Sequence, residues 1–387
     1  MNPTKLITIL GKILFLFKDK DISHPCIQNP KKILIIRSGA IGDVIMTTPL
    51  LKSLRKHYPS AEIIYMVGDW SKKIIAGNKN IDRMISFPDN IIYQKEIKGT
   101  LNLIRQLRKE KIDLAFILDK SYHWSILAYL SNIKRRIGFN RIGLNGDEGF
   151  ANNINISYNG SKNELDYYLD LAKLISINIA IEDEKTEIFL SEKDELFAQE
   201  FAEKNKLSSQ TIGLVPGGAK NPGQELDLKR WPIEHFISLI KLLLKNQPNS
   251  NLILFGGPGD VEVSVKIYFA LKEQKINTDN IIDIIGKTSL QETAAIMRKC
   301  NLIVTPDSGP LHLAAAGKAK VIALFGPTPA HRFAPKQAII FQNKPSSKPI
   351  NSCPCYDVYG SYKKCTSPDC MNSITPEQIY NKIAEIL

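Results

Sequence analysis

Apolar and polar positions alternate along this chain in the rhythm of strand and helix. Lys32 to Arg37 (KILIIR) is a short β-rich run that ends at a glycine loop, and Met46, Leu50 and Leu54 then recur every fourth residue. Ala61 to Val67, Arg83 to Phe87, Leu114 to Leu118 and Arg136 to Phe139 are further apolar runs, with helical patterns over 95–110 and 122–132 between them. A longer helical pattern at 163–177 closes this half. Short continuous apolar runs separated by amphipathic stretches predict right-handed βαβ units and a parallel sheet.

The same grammar returns downstream. Thr211 to Val215, Asn251 to Phe255, Ile281 to Ile285, Leu302 to Thr305 and Val321 to Phe325 read as strands, and 232–245, 260–273, 289–299 and 308–316 as helices. Ser289 with Glu292, and Thr375-Pro376 with Gln378, are capping boxes that mark two helix starts. The expectation is a doubly wound α/β protein: an extension at 1–29, one Rossmann-like domain over 30–185, a second over 186–345, and a Cys-containing tail with a final helix at 346–387.

The extension has its own pattern. Leu6, Ile9, Leu10, Ile13, Leu14 and Phe17 form one broad apolar face on a helix, and Lys5 and Lys12 share another. That suits a helix lying in an anionic membrane interface, and equally one docked on the protein's own body. A signal peptide is a third reading, set against by the Lys-Asp-Lys-Asp that follows without an A-x-A-like site. No window offers 18 uninterrupted apolar residues, so a spanning helix is not expected.

Composition narrows the classes. The 387 residues suit two domains at roughly 150 residues each. With 43% apolar residues the chain is not disordered. An excess of 51 Lys+Arg over 39 Asp+Glu, net +12, favours anionic partners. The basic residues are scattered and no nucleic-acid motif is present, so nucleic acid is not an expected partner.

Chemistry concentrates where strands end, which is where open α/β sheets bind ligands. Ser38-Gly39-Ala40-Ile41-Gly42-Asp43 follows the first strand; Pro216-Gly217-Gly218-Ala219, Gly256-Gly257-Pro258-Gly259-Asp260, Pro306-Asp307-Ser308-Gly309 and Gly326-Pro327-Thr328 follow later ones. Asp307 and Ser308 can cap a helix whose free N–H groups form an anion site, with His312 one turn in. Lys229-Arg230 stands just before a helix opened by Pro232, a placement that the macrodipole favours only with an anion between them. Asp43 at its helix start is either a cap or a general base. The first loop lacks both the P-loop Lys-Ser/Thr and the G-x-G-x-x-G spacing, which sets a dehydrogenase aside.

Taken together, KILIIRSGAIGDVIMTTPLLKSLRKHYP at 32–59, GLVPGGA at 213–219, KRWP at 229–232, DSGPLHLAAAGKAKVIALFGPT at 307–328 and the late Cys-Pro-Cys-Tyr with Cys-Met resemble glycosyltransferase family 9, the ADP-heptose:lipopolysaccharide heptosyltransferases. The similarity runs over about 31–387. It implies a GT-B architecture of two facing Rossmann-like domains, with a nucleotide sugar on the second and the acceptor in the cleft or on the first. By that resemblance Asp43 is the base, with Ser38, Gly39 and Gly42 in the acceptor-side loop. Lys229, with Arg230, contacts the donor diphosphate; Asp307, Ser308, Gly309 and His312 form the donor-binding helix start, and Gly217 and Gly218 line the same site. An acidic residue for the donor ribose falls near Gly259, Asp260 or Glu262, and Asp260 is taken for it. The implied enzyme is an inverting, metal-independent transferase with no required cofactor. It moves a heptose or related sugar from a nucleotide-diphosphate donor to a lipid-linked lipopolysaccharide-core acceptor, in the cytoplasm and peripherally at the inner face of the inner membrane. A nucleotide-sugar epimerase of the same architecture and a silent nucleotide-sugar-binding or scaffold protein stay open as alternatives.

Cys353, Cys355, Cys365 and Cys370, spaced C-x-C-x9-C-x4-C, are read three ways: a structural zinc site, a redox-dependent bridge or reduced structural thiols.

Overall fold

The computed structural model describes residues 29–387 apart from 94–95, 144–145, 148, 219, 222–223, 343–353, 359 and 363–366. The chain divides into two compact units, Met1–Thr186 and Glu187–Leu387. The interfacial-helix pattern over 1–28, Ala219, Cys353 and Cys365 lie outside the described residues.

In the first unit, β1 (Lys32–Ile36), β2 (Glu62–Gly68), β3 (Arg83–Phe87), β4 (Leu114–Ile117) and β5 (Arg135–Asn140) are followed by a small antiparallel hairpin of β6 (Ile142–Gly143) and β7 (Gly146–Asp147), and by β8 (Ile154–Ser157). The sheet order is β3-β2-β1-β4-β5-β8, with every pairing parallel. Its central strands are apolar on both faces, with Ile33 to Ile36 wholly buried, because helices cover both sides. Leu103, Ile104 and Leu107 of the helix Ile97–Glu110 and Trp124 and Leu127 of the helix Tyr122–Leu130 fill one of those layers.

The second unit repeats this order. β9 (Thr211–Leu214) precedes a hairpin of β10 (Lys220–Asn221) and β11 (Gln224–Glu225), then come β12 (Asn251–Leu254), β13 (Ile281–Asp283), β14 (Leu302–Pro306), β15 (Val321–Leu324) and β16 (Ile339–Phe341). They pair in parallel as β13-β12-β9-β14-β15-β16. In both units the order reverses beside the first strand, the switch point at which doubly wound sheets open a crevice.

Both predicted capping boxes form, Ser289 with Glu292 and Thr375 with Gln378. Pro232 occupies the N-cap of the helix Ile233–Asn246 rather than its first helical position. The final helix, Pro376–Ile386, packs into the second unit's core through Ile379 and Ile383. There the Trp231 indole donates to the Ile374 carbonyl at 2.8 Å. Cys370 is part of this core and Cys355 is buried. Among the described residues no group of three or more His, Cys, Asp or Glu is placed to hold a metal ion. No described helix is long and apolar enough to cross a membrane.

Candidate active site

Each unit carries one polar cluster at the carboxyl edge of its sheet. In the first, β1 and β4 are neighbours with Ile36 level with Ile117, so the residues just beyond them meet. Arg37 turns inward, 8% exposed, and its guanidinium forks between two carboxylates. Nη2 lies 2.9 Å from Asp43 Oδ2 and Nη1 lies 2.5 Å from Asp119 Oδ1. The other Asp119 oxygen accepts from the Ser38 N–H at 2.8 Å and the Ser38 hydroxyl at 3.0 Å.

Asp43 sits within the five-residue helix Ile41–Ile45, whose N-cap is Ala40. The cap reading of Asp43 is therefore corrected: its carboxylate is drawn to Arg37. Gly39 makes room for that pair, since a Cβ there would stand 2.7 Å from Asp43 Oδ2 and 3.2 Å from Arg37 Cζ. The Gly39 carbonyl accepts from the Ser71 hydroxyl at 2.7 Å, which ties the loop to the end of β2. Gly42 is buried in the helix, where its carbonyl accepts from the Met46 N–H.

Behind this fork lies a group that sequence reasoning missed. Lys120 is ion-paired with Glu164, and Glu164 also accepts from the Tyr158 hydroxyl. The Lys120 ammonium stands 4.5 Å from the centroid of the Tyr158 ring, 5.4 Å from Phe139 and 5.5 Å from Tyr168. Burial pushes the Lys120 pKa down, with the Glu164 charge opposing and Arg37 adding to the fall. Burial pushes the Tyr168 hydroxyl far up. Arg37 stays charged: burial opposes its cation, but Asp43, Tyr168, Asp119 and Glu164 together raise its pKa well above the usual value. The strand-end rule, applied to β4, points to Asp119 and Lys120; Glu164 passes as an ordinary acid in the first turn of a helix.

In the second unit the ends of β9, β12, β14 and β15 converge. Lys229, in the short turn Asp227–Lys229, reaches Asp307 Oδ2 at 2.7 Å; the Asp307 side chain is buried and that of Lys229 partly exposed. Burial alone would lower the Lys229 pKa; the charge of Asp307 and the nearby Tyr362 override it and raise it. Arg230 pairs with Asp227, and its Nε donates to the Gly218 carbonyl at 3.2 Å.

Neither expected cap bond is made at the helix Gly309–Ala316. Ser308 holds the N-cap position without a side-chain cap bond, its hydroxyl donating instead to the Pro306 carbonyl at 3.3 Å, while Asp307 is committed to Lys229. Pro310 has no N–H and the Leu311 N–H donates to the Ser308 carbonyl at 3.1 Å, so among the first three residues of this helix Gly309 alone offers an N–H outside the helix's own bonds. His312 is buried within the helix. Gly218 adopts φ +92°, and a Cβ on it would stand 3.2 Å from the Ser308 hydroxyl. Asp260 staples two glycine loops, accepting from Gly218 N–H at 3.0 Å and Gly257 N–H at 2.9 Å, with Gly217 against its carboxylate.

The tail also reaches this cluster. The Tyr356 N–H donates to the Pro327 carbonyl at 2.9 Å, and its ring packs at a tilt of 38° against Tyr362 with centroids 4.6 Å apart. Burial raises the Tyr362 pKa, with Lys229 and Thr328 alongside opposing the rise. Nothing in the spacing of the tail placed either tyrosine here.

The profile of glycosyltransferase family 9 (heptosyltransferase) matches residues 100–355. The chain belongs to glycosyltransferase family 9. Lys229, Arg230, Asp260 and the 307–312 segment fall inside the matched span, and Asp43 before it. Lipopolysaccharide heptosyltransferase 2 of Salmonella typhimurium is 28% identical over 310 residues, 77% of this chain and 83% of that one. The ADP-heptose lipopolysaccharide heptosyltransferase II of E. coli superposes with a TM-score of 0.68 at 22% identity, covering 92% of this chain and 98% of the other. The E. coli heptosyltransferase WaaC, solved with ADP, gives 0.63 at 16% identity over 92% and 97%. The fold is that of the GT-B family 9 glycosyltransferases, as the resemblance implied.

Proposed function

We propose that this glycosyltransferase moves a heptosyl group from ADP-heptose to a hydroxyl of a lipopolysaccharide-core acceptor, inverting the anomeric centre. The observation that carries the reading is Lys229, held by Asp307 beside the N-terminus of the helix Gly309–Ala316 and the Gly217-Gly218 loop. A fixed cation and a helix N-terminus together suit a diphosphate. Relatives named lipopolysaccharide heptosyltransferases and a fold neighbour solved with ADP support heptose and adenosine as the groups attached to it.

Asp43 takes the acceptor hydroxyl proton as the oxygen's electron pair forms the new bond to the anomeric carbon. The bond from that carbon to the diphosphate breaks on the opposite face, and its electrons leave with ADP. Lys229 and the N-terminus of Gly309–Ala316 receive the developing charge, so leaving-group stabilisation rests on the chain itself rather than on a metal. The enzyme works at the cytoplasmic face of the inner membrane, with the apolar and basic pattern of residues 1–29 as its contact with anionic lipid.

Calorimetric titration with ADP, UDP, GDP and CDP, then ADP-heptose, tests the donor. Selective ADP binding, tightened by heptose, is expected. Preference for another nucleotide overturns the donor assignment, binding of none overturns the transferase reading, and donor turnover without an acceptor points to an epimerase.

A further inference from the structure

We propose that Arg37 is the positioning residue for Asp43, and that Asp119 holds Arg37 in that task. The proposal rests on the reading of Asp43 as the base. Its ground is the fork: one guanidinium meets Asp43 at 2.9 Å through Nη2 and Asp119 at 2.5 Å through Nη1. Asp119 in turn grips the backbone N–H and the hydroxyl of Ser38, so the first loop, the base and the end of β4 form one hydrogen-bonded unit. Only a planar, always-charged group with donors on two sides bridges two carboxylates this way, so lysine is not its equivalent.

The sharing has a chemical consequence. A base ionised by a single cation would leave that cation buried and unpaired once it took a proton. Here Arg37 keeps Asp119 as partner when Asp43 becomes neutral. The cation holds Asp43 ionised before the reaction, and Asp119 limits the penalty during it.

The charged and titratable groups around Asp43 come from several elements. They are Arg37 after β1, Tyr65 in β2, Asp119 and Lys120 after β4, and Glu164 and Tyr168 in the helix Glu164–Lys173. Lys120 is paired with Glu164, and Arg37 is a cation in direct contact with Asp43, at 2.9 Å.

The test is the pH profile of kcat/KM for wild type, Arg37→Met, Arg37→Lys and Asp119→Asn, with Asp43→Asn as reference, circular dichroism as the control for folding and ADP titration as the control for donor binding. Arg37→Met is expected to lower kcat about 10- to 100-fold through misplacement of the base. Its acid limb should move up by about one pH unit or more, because Asp43 loses the opposite charge. Arg37→Lys keeps a charge but not the fork, so kcat falls while the acid limb stays near that of the wild type. Asp119→Asn lowers kcat with ADP affinity intact. An Arg37→Met enzyme that binds ADP and retains wild-type kcat and acid limb overturns the proposal. If that variant does not fold, unchanged kcat in Arg37→Lys overturns it equally. Near-normal turnover of Asp43→Asn removes the base reading itself; an inactive Asp43→Asn beside unaffected Arg37 variants removes the positioning role alone.

Discussion

Lys229 Nζ lies 2.7 Å from Asp307 Oδ2, joining the turn before one helix to the loop before another, 78 residues on. The Asp307 side chain is buried and that of Lys229 only partly exposed, so the carboxylate has little access to bulk water and depends on this cation. In the proposed reading Asp307 keeps the cation in place before the donor binds, and a diphosphate then joins the pair.

Lys229→Ala is expected to weaken ADP binding by at least about tenfold, the loss of one charge-assisted contact. It should also destabilise the unit by roughly 3–5 kcal/mol, because Asp307 is left buried and unpaired. Replacing both, Lys229→Met with Asp307→Leu, should recover much of the stability and none of the affinity. Chemical denaturation beside calorimetry separates the two effects. An unaltered ADP dissociation constant in Lys229→Ala removes the phosphate contact.

Gly39→Ala tests the packing around Asp43. The new methyl would stand 2.7 Å from Asp43 Oδ2, so the carboxylate must swing from Arg37. Turnover should fall roughly tenfold or more from a displacement on this scale, while ADP affinity, a property of the other unit, holds. Equal kcat in the two proteins would show that the carboxylate's place is not critical.

Gly218→Ala separates backbone from side chain at the donor loop. The φ of +92° strains any residue with a Cβ, and the methyl also meets the Ser308 hydroxyl at 3.2 Å. A stability loss of about 1–2 kcal/mol is expected from the conformation alone. Donor affinity should fall as well, because the loop and the helix start are in contact. Full ADP affinity in the variant would place the diphosphate away from this contact.

How much of this was legible in the sequence depended on range. Runs such as KILII and TIGL show through because central parallel strands are apolar on both faces, and the boxes at Ser289 and Thr375 because capping is local. The glycine loops were visible by their position after strands. The Arg37–Asp119 contact was not, since 82 residues separate the partners and only the β1–β4 register brings them level. Local reasoning offered a cap at Asp43, Asp307 and Ser308, with a general base as the other reading of Asp43, because short polar residues at helix starts usually cap; a cation pairs with each of the two aspartates instead. The edge strands Ile154–Ser157 and Ile339–Phe341 are too short, and too mixed in burial, to stand out. Tyr362 reaches Lys229 only because the tail doubles back past Pro327.

Lys120 gives a pH signature with a definite sign. Its folded-state pKa lies below the ordinary lysine value, burial outweighing Glu164. Between the depressed value and the unfolded one near 10.4, the unfolded chain therefore holds a proton that the folded chain has released. Stability from this group rises with pH across that window, because the unfolded state binds more protons. The penalty for burying the ammonium applies below the folded pKa and is gone above the unfolded one. Lys120→Met should lack this rise, so the difference in unfolding free energy, wild type minus variant, should grow as alkaline pH climbs towards about 10.4. Denaturant titrations of both proteins at several pH values over that range read it directly. A difference that stays flat, or that shrinks, would mean that Glu164 and the surrounding rings hold the ammonium charged in the fold as firmly as water does.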